Sequence, residues 1–241
     1  MGMYLGNERA TCEVSFAPYL WMNGGELWDP ETKEAIYASE AGVKAAQFLS
    51  DLVNNYKVTP EFAVSGSYND VLRTGFVNGQ YAMAEGFGNY FFNVLEEEGL
   101  ISGYMPATED AHTDKVGLFL APPDSQRYSN FWTLGISKTC PYPDEAMRLV
   151  ELLIKPDNIK HYLNGIPVRQ SAYENKAYSA DLYQVMRQAA AQGKSMPQTA
   201  NYMKLADSVA AAIQEIVLTK GDAKEILTRY QDEYNARYAG E

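Results

Sequence analysis

The chain has 241 residues and a formal charge of −11, with 20 Lys and Arg against 31 Asp and Glu. That balance excludes nucleic acid and an anionic membrane surface as partners, because both require clustered basic side chains. The length allows one large domain or two modest ones with ample core.

Residues 1–11 carry Gly2, Gly6 and Asn7, and an irregular, frayed start is expected. A helix over Cys12–Met22 follows, with Phe16, Tyr19 and Leu20 on one face at i, i+3, i+4 spacing. Asn23-Gly24-Gly25 stops it, since Asn and Gly tolerate the left-handed backbone. Glu26 to Trp28 reads as a short extended piece and Asp29-Pro30-Glu31-Thr32 as a turn. Ser39 is the expected N-cap of a strong helix to Asn55, with Leu49, Leu52 and Val53 in its apolar stripe. Val58-Thr59-Pro60 breaks the chain, and a short helix spans Tyr68 to Asn78 before Gly79. Gln80–Glu85 fits a buried strand, and Gly86-Phe87-Gly88 turns into a helix over Tyr90–Glu98.

A polar loop covers 102–114. Strands are expected over Lys115–Ala121, ended by Pro122-Pro123, and over Asn130–Ser137. Pro143 suits the first turn of the next helix, whose stripe is Ala146, Leu149, Val150, Leu153 and Ile154. Ile166–Arg169 is an extended loop. Helices over Ser179–Gln192, Asn201–Thr219 and from the Asp222/Glu225 capping box to about Arg237 complete the chain. Helices with a few scattered short strands indicate an α/β fold.

No catalytic or metal-binding pattern stands out, and no cofactor is expected. His112 and His161 are isolated and read as surface residues. A nucleophile elbow, a phosphate-binding glycine loop and H-E-x-x-H are all missing. Cys12 and Cys140 lie outside redox or metal spacing and read either as one disulfide or, preferably, as two buried free thiols. No apolar run approaches the roughly 18 residues of a membrane span, and no secretory signal or lipobox cysteine is legible.

What does stand out is aromatic groups beside glycine or polar turns: Phe16, Phe87, Tyr90, Phe131, Trp132 and Tyr202. A sugar offers apolar C–H faces ringed by hydroxyls, so its receptor needs aromatic plates with a polar rim. Asn23, Asn89, Asn130 and Arg169 lie where rim groups would be wanted. For each aromatic the competing reading is core packing.

Four blocks carry a resemblance covering almost the whole chain. They are Pro18–Leu27 (Pro-Tyr-Leu-Trp-Met-Asn-Gly-Gly-Glu-Leu), Gly75–Met83 leading to Gly88-Asn89-Tyr90, Val116–Lys138 with its Ala121-Pro122-Pro123 and Leu134-Gly135-Ile136-Ser137-Lys138, and Gly165–Tyr173. In this order and spacing the chain resembles the sugar-type extracellular solute-binding family of ABC importers, which includes the maltodextrin-binding protein. The resemblance implies a type II periplasmic-binding-protein-like second lobe, helix-rich with a short mixed sheet, and no catalysis. Residues 1–128 and 174–241 would form that lobe, and 129–173 a hinge crossing with a remnant of a first lobe that is otherwise missing. It implies a sugar or oligosaccharide ligand and an ABC permease as partners. It also implies an extracellular or periplasmic location, lipoprotein-anchored in the full-length form.

It places a stacking aromatic at Tyr90 or Phe87 and another near Tyr202, and Arg169 near the cleft. With it, ligand stacking is preferred over core packing for Tyr90 and Trp132. The stripe within 143–163 would face the absent lobe, and a homodimer through it is expected. The rival from another class is a carbohydrate-active enzyme, a glycosidase or lyase, separable by product analysis.

Overall fold

The computed structural model describes residues 2–6, 8–85, 88–113, 115–120, 126–163 and 165–240. In chain order, a π-helical stretch Thr11–Phe16 runs into α1 (Ala17–Met22). A two-residue hairpin of β1 (Trp28–Asp29) and β2 (Glu34–Ala35) leads to α2 (Glu40–Asn54). Short α3 (Phe62–Ser65) and α4 (Tyr68–Asp70) precede a second π stretch, Val71–Val77, and then α5 (Gly88–Glu97). After β3 (Arg127–Tyr128) come α6 (Pro143–Leu153), α7 (Pro156–Ile159) and two 3₁₀ turns, Gln170–Glu174 and Lys176–Tyr178. The chain finishes with α8 (Asp181–Ala191), β4 (Gly193–Lys194), α9 (Tyr202–Thr219) and α10 (Ala223–Tyr238).

The punctuation works as its chemistry requires. Ser39 caps α2 by accepting from Gly42 N–H at 3.3 Å, and Asp222 caps α10 by accepting from Glu225 N–H at 2.8 Å. Gly99 closes the helix before it at φ +65°, a conformation that costs an L side chain strain.

Two compact units result. The first comprises Met1–Gly88, Pro122–Ser129 and Gln192–Glu241, and the second Asn89–Ala121 and Asn130–Ala191. This partition by contact differs from the division into 1–128 with 174–241 and 129–173. Residues 89–121 and 174–191 join the second unit because their side chains build its core: Tyr183 Oη donates to the carbonyl of Tyr104 at 2.7 Å.

In the first unit α9 lies against α10, α2 and the Thr11–Phe16 stretch. Its Leu205, Val209, Ile213 and Ile216 meet Phe16, Leu20, Leu49 and Leu227 in a cluster with almost no exposure. The hairpin is tied to α10, with Ala35 N–H donating to Asn235 Oδ1 at 2.7 Å and Asn235 Nδ2 donating to the Ala35 carbonyl at 3.0 Å. The N-terminal stretch is not frayed. Met3, Tyr4 and Leu5 are buried, and Gly2 N–H and Leu5 N–H bond the carbonyls of Met83 and Ala63. Those three apolar residues outweigh the glycines around them.

The second unit is built around tyrosines. Tyr104, Tyr178 and Tyr183 are fully buried and stack with one another and with Phe92. Glu96 accepts from the backbone N–H groups of Tyr104 and Met105 at 2.8 and 3.0 Å, fixing the loop after α5.

Two expected strands do not form. Among the described residues neither 115–120 nor 130–137 pairs in a ladder. A strand exists only through its partner, and here the parallel pairing of β3 with β4 stops at the bond from Ser129 N–H to the Lys194 carbonyl. The expected strand over Gln80–Glu85 is reduced to one bridge, Ala84 with Gly2. Cys12 and Cys140 are both free thiols, Cys12 buried as expected and Cys140 half-exposed.

Candidate functional site

The nine residues singled out by sequence separate by environment. Phe16 is fully buried in the first unit's core and has no ring face open to a ligand. Its i+4 spacing to Leu20 is a packing stripe, so core packing is the reading the structure gives it. Asn23 is exposed beyond α1 and donates from Nδ2 to the Tyr19 carbonyl at 2.8 Å. It borders an open cleft of about 470 Å³ shared with Gly25, Glu26, Ser39, Glu40 and Lys44. Phe87 lies outside the described residues.

In the second unit Asn89 and Tyr90 sit in the first turn of α5, both exposed. The Asn89 side chain lies so close to Gly165 that a Cβ there would be 2.6 Å from Nδ2. Glycine at 165, also at φ +134°, is therefore what lets the following Ile166–Arg169 stretch approach α5. Asn130 and Trp132 stand on the unpaired extended segment, and the Trp132 ring is 84% exposed, the Tyr90 ring 42%. Arg169 is exposed at the start of the first 3₁₀ turn.

Tyr202, the first residue of α9, is half-buried, and its phenol donates to Glu13 Oε1 at 2.5 Å. Glu13 also takes Arg9 Nε at 3.0 Å, and Arg9 Nη1 reaches Met203 Sδ at 3.1 Å. This is a nearly buried carboxylate held by a cation and a phenol. Burial foremost, with Cys12 and Glu13 adding to it, pushes the Tyr202 phenol far above its ordinary range, so it stays a donor. The sequence reading included Tyr202 but missed Glu13 and Arg9, whose i, i+4 spacing was the available signal.

A second unforeseen network lies at the end of the 81–85 stretch. Glu85 accepts from Tyr19 Oη at 2.9 Å and pairs with Arg127 Nη1 at 2.7 Å. Burial, then the Glu85 carboxylate, raises the Tyr19 phenol well above its usual range. Chemically these are hydrogen-bonding arrays for hydroxylated ligands or for internal fastening. No described group of three or more His, Cys, Asp or Glu residues could hold a metal, and no described helix is long and apolar enough to cross a membrane.

Comparison with solved structures defines the fold class first. The chain overlays a maltose-bound MalE3 of T. maritima with a TM-score of 0.75 at 23% identity, covering 97% of this chain and 59% of that one. It overlays an ABC transporter solute-binding protein of Thermotoga lettingae bound with α-D-tagatose at 0.71 and 18%, covering 98% and 58%. It overlays the GacH receptor of Streptomyces glaucescens, solved unliganded and with acarbose, at 0.71 and 19%, covering 99% and 59%. The fold is that of periplasmic-binding-protein-like solute-binding proteins, and the chain spans about 59% of the length of these structures.

A family model for bacterial extracellular solute-binding proteins matches residues 8–185, and the chain belongs to that family. Among curated proteins none matches it.

Proposed function

We propose that this chain is the carbohydrate-recognising part of a receptor that hands sugar to an ABC permease, with no catalytic step of its own. The observation that carries this reading is the overlay of 97% of the chain on a maltose-bound receptor. Relatives of the same fold hold tagatose and acarbose. Two exposed aromatic rings, Tyr90 and Trp132, supply the plates such a ligand needs, with Asn89, Asn130 and Arg169 as polar neighbours in the same unit. In the first unit Asn23 borders the open cleft, and the Arg9–Glu13–Tyr202 array offers fixed donors and acceptors. Phe87 stays a candidate plate from its sequence position.

The working location is outside the cytoplasm, with a lipoprotein anchor in the full-length form. Residues 129–173 act as the crossing to a further lobe. Where that lobe is absent, the 143–163 segment meets a second copy, since Leu149 and Leu152 of α6 are 55% and 48% exposed.

Saturation-transfer NMR with maltose, maltotriose and acarbose tests the reading. The expected result is transfer to the sugar that drops about fivefold in Trp132→Ala and in Tyr90→Ala, the loss of roughly one stacking contact. Absence of transfer to every sugar at millimolar concentration, or formation of a hydrolysis or elimination product, would overturn it.

A further inference from the structure

Residues 131–136 read Phe-Trp-Thr-Leu-Gly-Ile, a β-forming run. Among the described residues none of these six takes part in a hydrogen bond. Their backbone is extended in the chain direction of β3, which ends two residues earlier. Phe131, Trp132 and Leu134 are 72, 84 and 54% exposed. A bare, apolar, uncharged run with open N–H and C=O groups is a template for another strand. Natural edges are blunted by charge, proline or a bulge, and 131–136 contains neither a charge nor a proline.

We infer that this segment pairs antiparallel with the same segment of a second copy, about a two-fold axis at Thr133. The sequence is self-complementary in that register. Thr133 faces Thr133 of the other copy, Trp132 faces Leu134, and Phe131 lies over Gly135. Thr–Thr and aromatic–aliphatic pairs are favourable cross-strand neighbours, and an aromatic ring over glycine fills the space its missing side chain leaves. Gly135 has that space: a Cβ there would meet nothing within 4 Å. The absence of charge from 131 to 136 lets two copies of net charge −11 approach through this run. The antiparallel sense holds the two Lys138 ammonium groups apart, whereas a parallel pair would oppose them. A two-fold contact is also closed, so it gives a dimer and not a fibre.

The inference adds a strand pair to the contact proposed through 143–163 and rests on that pairing of copies. It does not depend on the ligand. Because pairing takes up the Trp132 ring, the test is run without sugar, and its outcome leaves the carbohydrate reading standing or falling on its own experiment.

The test is sedimentation of the full chain over a micromolar to millimolar series, with oxidative cross-linking in a Cys140→Ser background. Thr133→Cys is expected to trap a disulfide-linked dimer. Lys138→Cys is expected to give none, since the two positions would stand about 30 Å apart along the paired strands. Leu134→Asp, at an exposed position that the fold tolerates, places two carboxylates near the axis and is expected to weaken the dimer at least about tenfold. A chain that stays monomeric at every concentration overturns the inference. So does a dimer that survives Leu134→Asp yet is lost in Leu149→Asp, or one that Thr133→Cys fails to link. Those last results would leave the helical contact alone in place.

Discussion

At the scale of single residues, the clearest chemistry belongs to tyrosine. The Tyr202 phenol is the hydrogen-bond donor to Glu13, a carboxylate with only 10% of its side chain exposed. Tyr202→Phe removes one charge-assisted bond and is expected to cost about 1.5–3 kcal/mol in urea unfolding. A loss below about 0.5 kcal/mol would show that water replaces the phenol without penalty. Buried phenols also set an alkaline limit. Burial pushes Tyr81 up to about 12, and burial with Tyr173 and Tyr162 nearby pushes Tyr178 to about 12. A phenol whose folded value lies above its unfolded value of about 10 stabilises the fold below pH 10, and that contribution is lost as pH rises toward 12. Tyrosinate absorbance in the native protein should therefore lag behind that of the urea-unfolded chain. Coincident titration curves would contradict the burial.

At the scale of elements, equal-looking stripes have unequal fates. α2 and α6 both carry aliphatic residues at helical spacing. Leu49 of α2 is fully buried, while Leu149 of α6 is 55% exposed. Leu49→Ala should cost about 2–5 kcal/mol and Leu149→Ala less than about 0.5 kcal/mol, read from the same urea midpoints. Similar losses for both would mean that α6 has a partner within its own chain. The sequence announces helices, caps and stops well, because Ser39, Asp222 and Gly99 act through neighbours three or four positions away. It does not announce whether Lys115–Leu120 or Asn130–Ser137 becomes a strand, since that depends on a distant partner. The same reason hid Glu85–Arg127 and the Arg9–Glu13–Tyr202 array, whose members are brought together only by folding. It also made Phe16 look available, because an aromatic next to a glycine stop looks alike whether buried or open. Arg127→Gln breaks the pair with Glu85, both partners being about a quarter exposed, and should cost about 1 kcal/mol. Hydrogen exchange should then quicken around 84 and 85, and unchanged exchange there would show that the backbone bonds of that stretch suffice.

At the scale of the whole molecule, the chain belongs to a family of extracellular solute-binding proteins and has the length of about 59% of its solved neighbours. A receptor of this fold gains affinity by enclosing its ligand. With one wall of that enclosure the chain is expected to bind oligosaccharides weakly, and calorimetry should show no sub-micromolar site. The carbohydrate reading itself is tested most directly by mapping chemical shifts of the protein during titration with maltotriose. The account predicts saturable shifts at the Trp132 indole and around Asn89 and Tyr90 at millimolar ligand, with the buried Phe16 ring unmoved. Shifts confined to other surfaces, or none at saturating sugar, would contradict it.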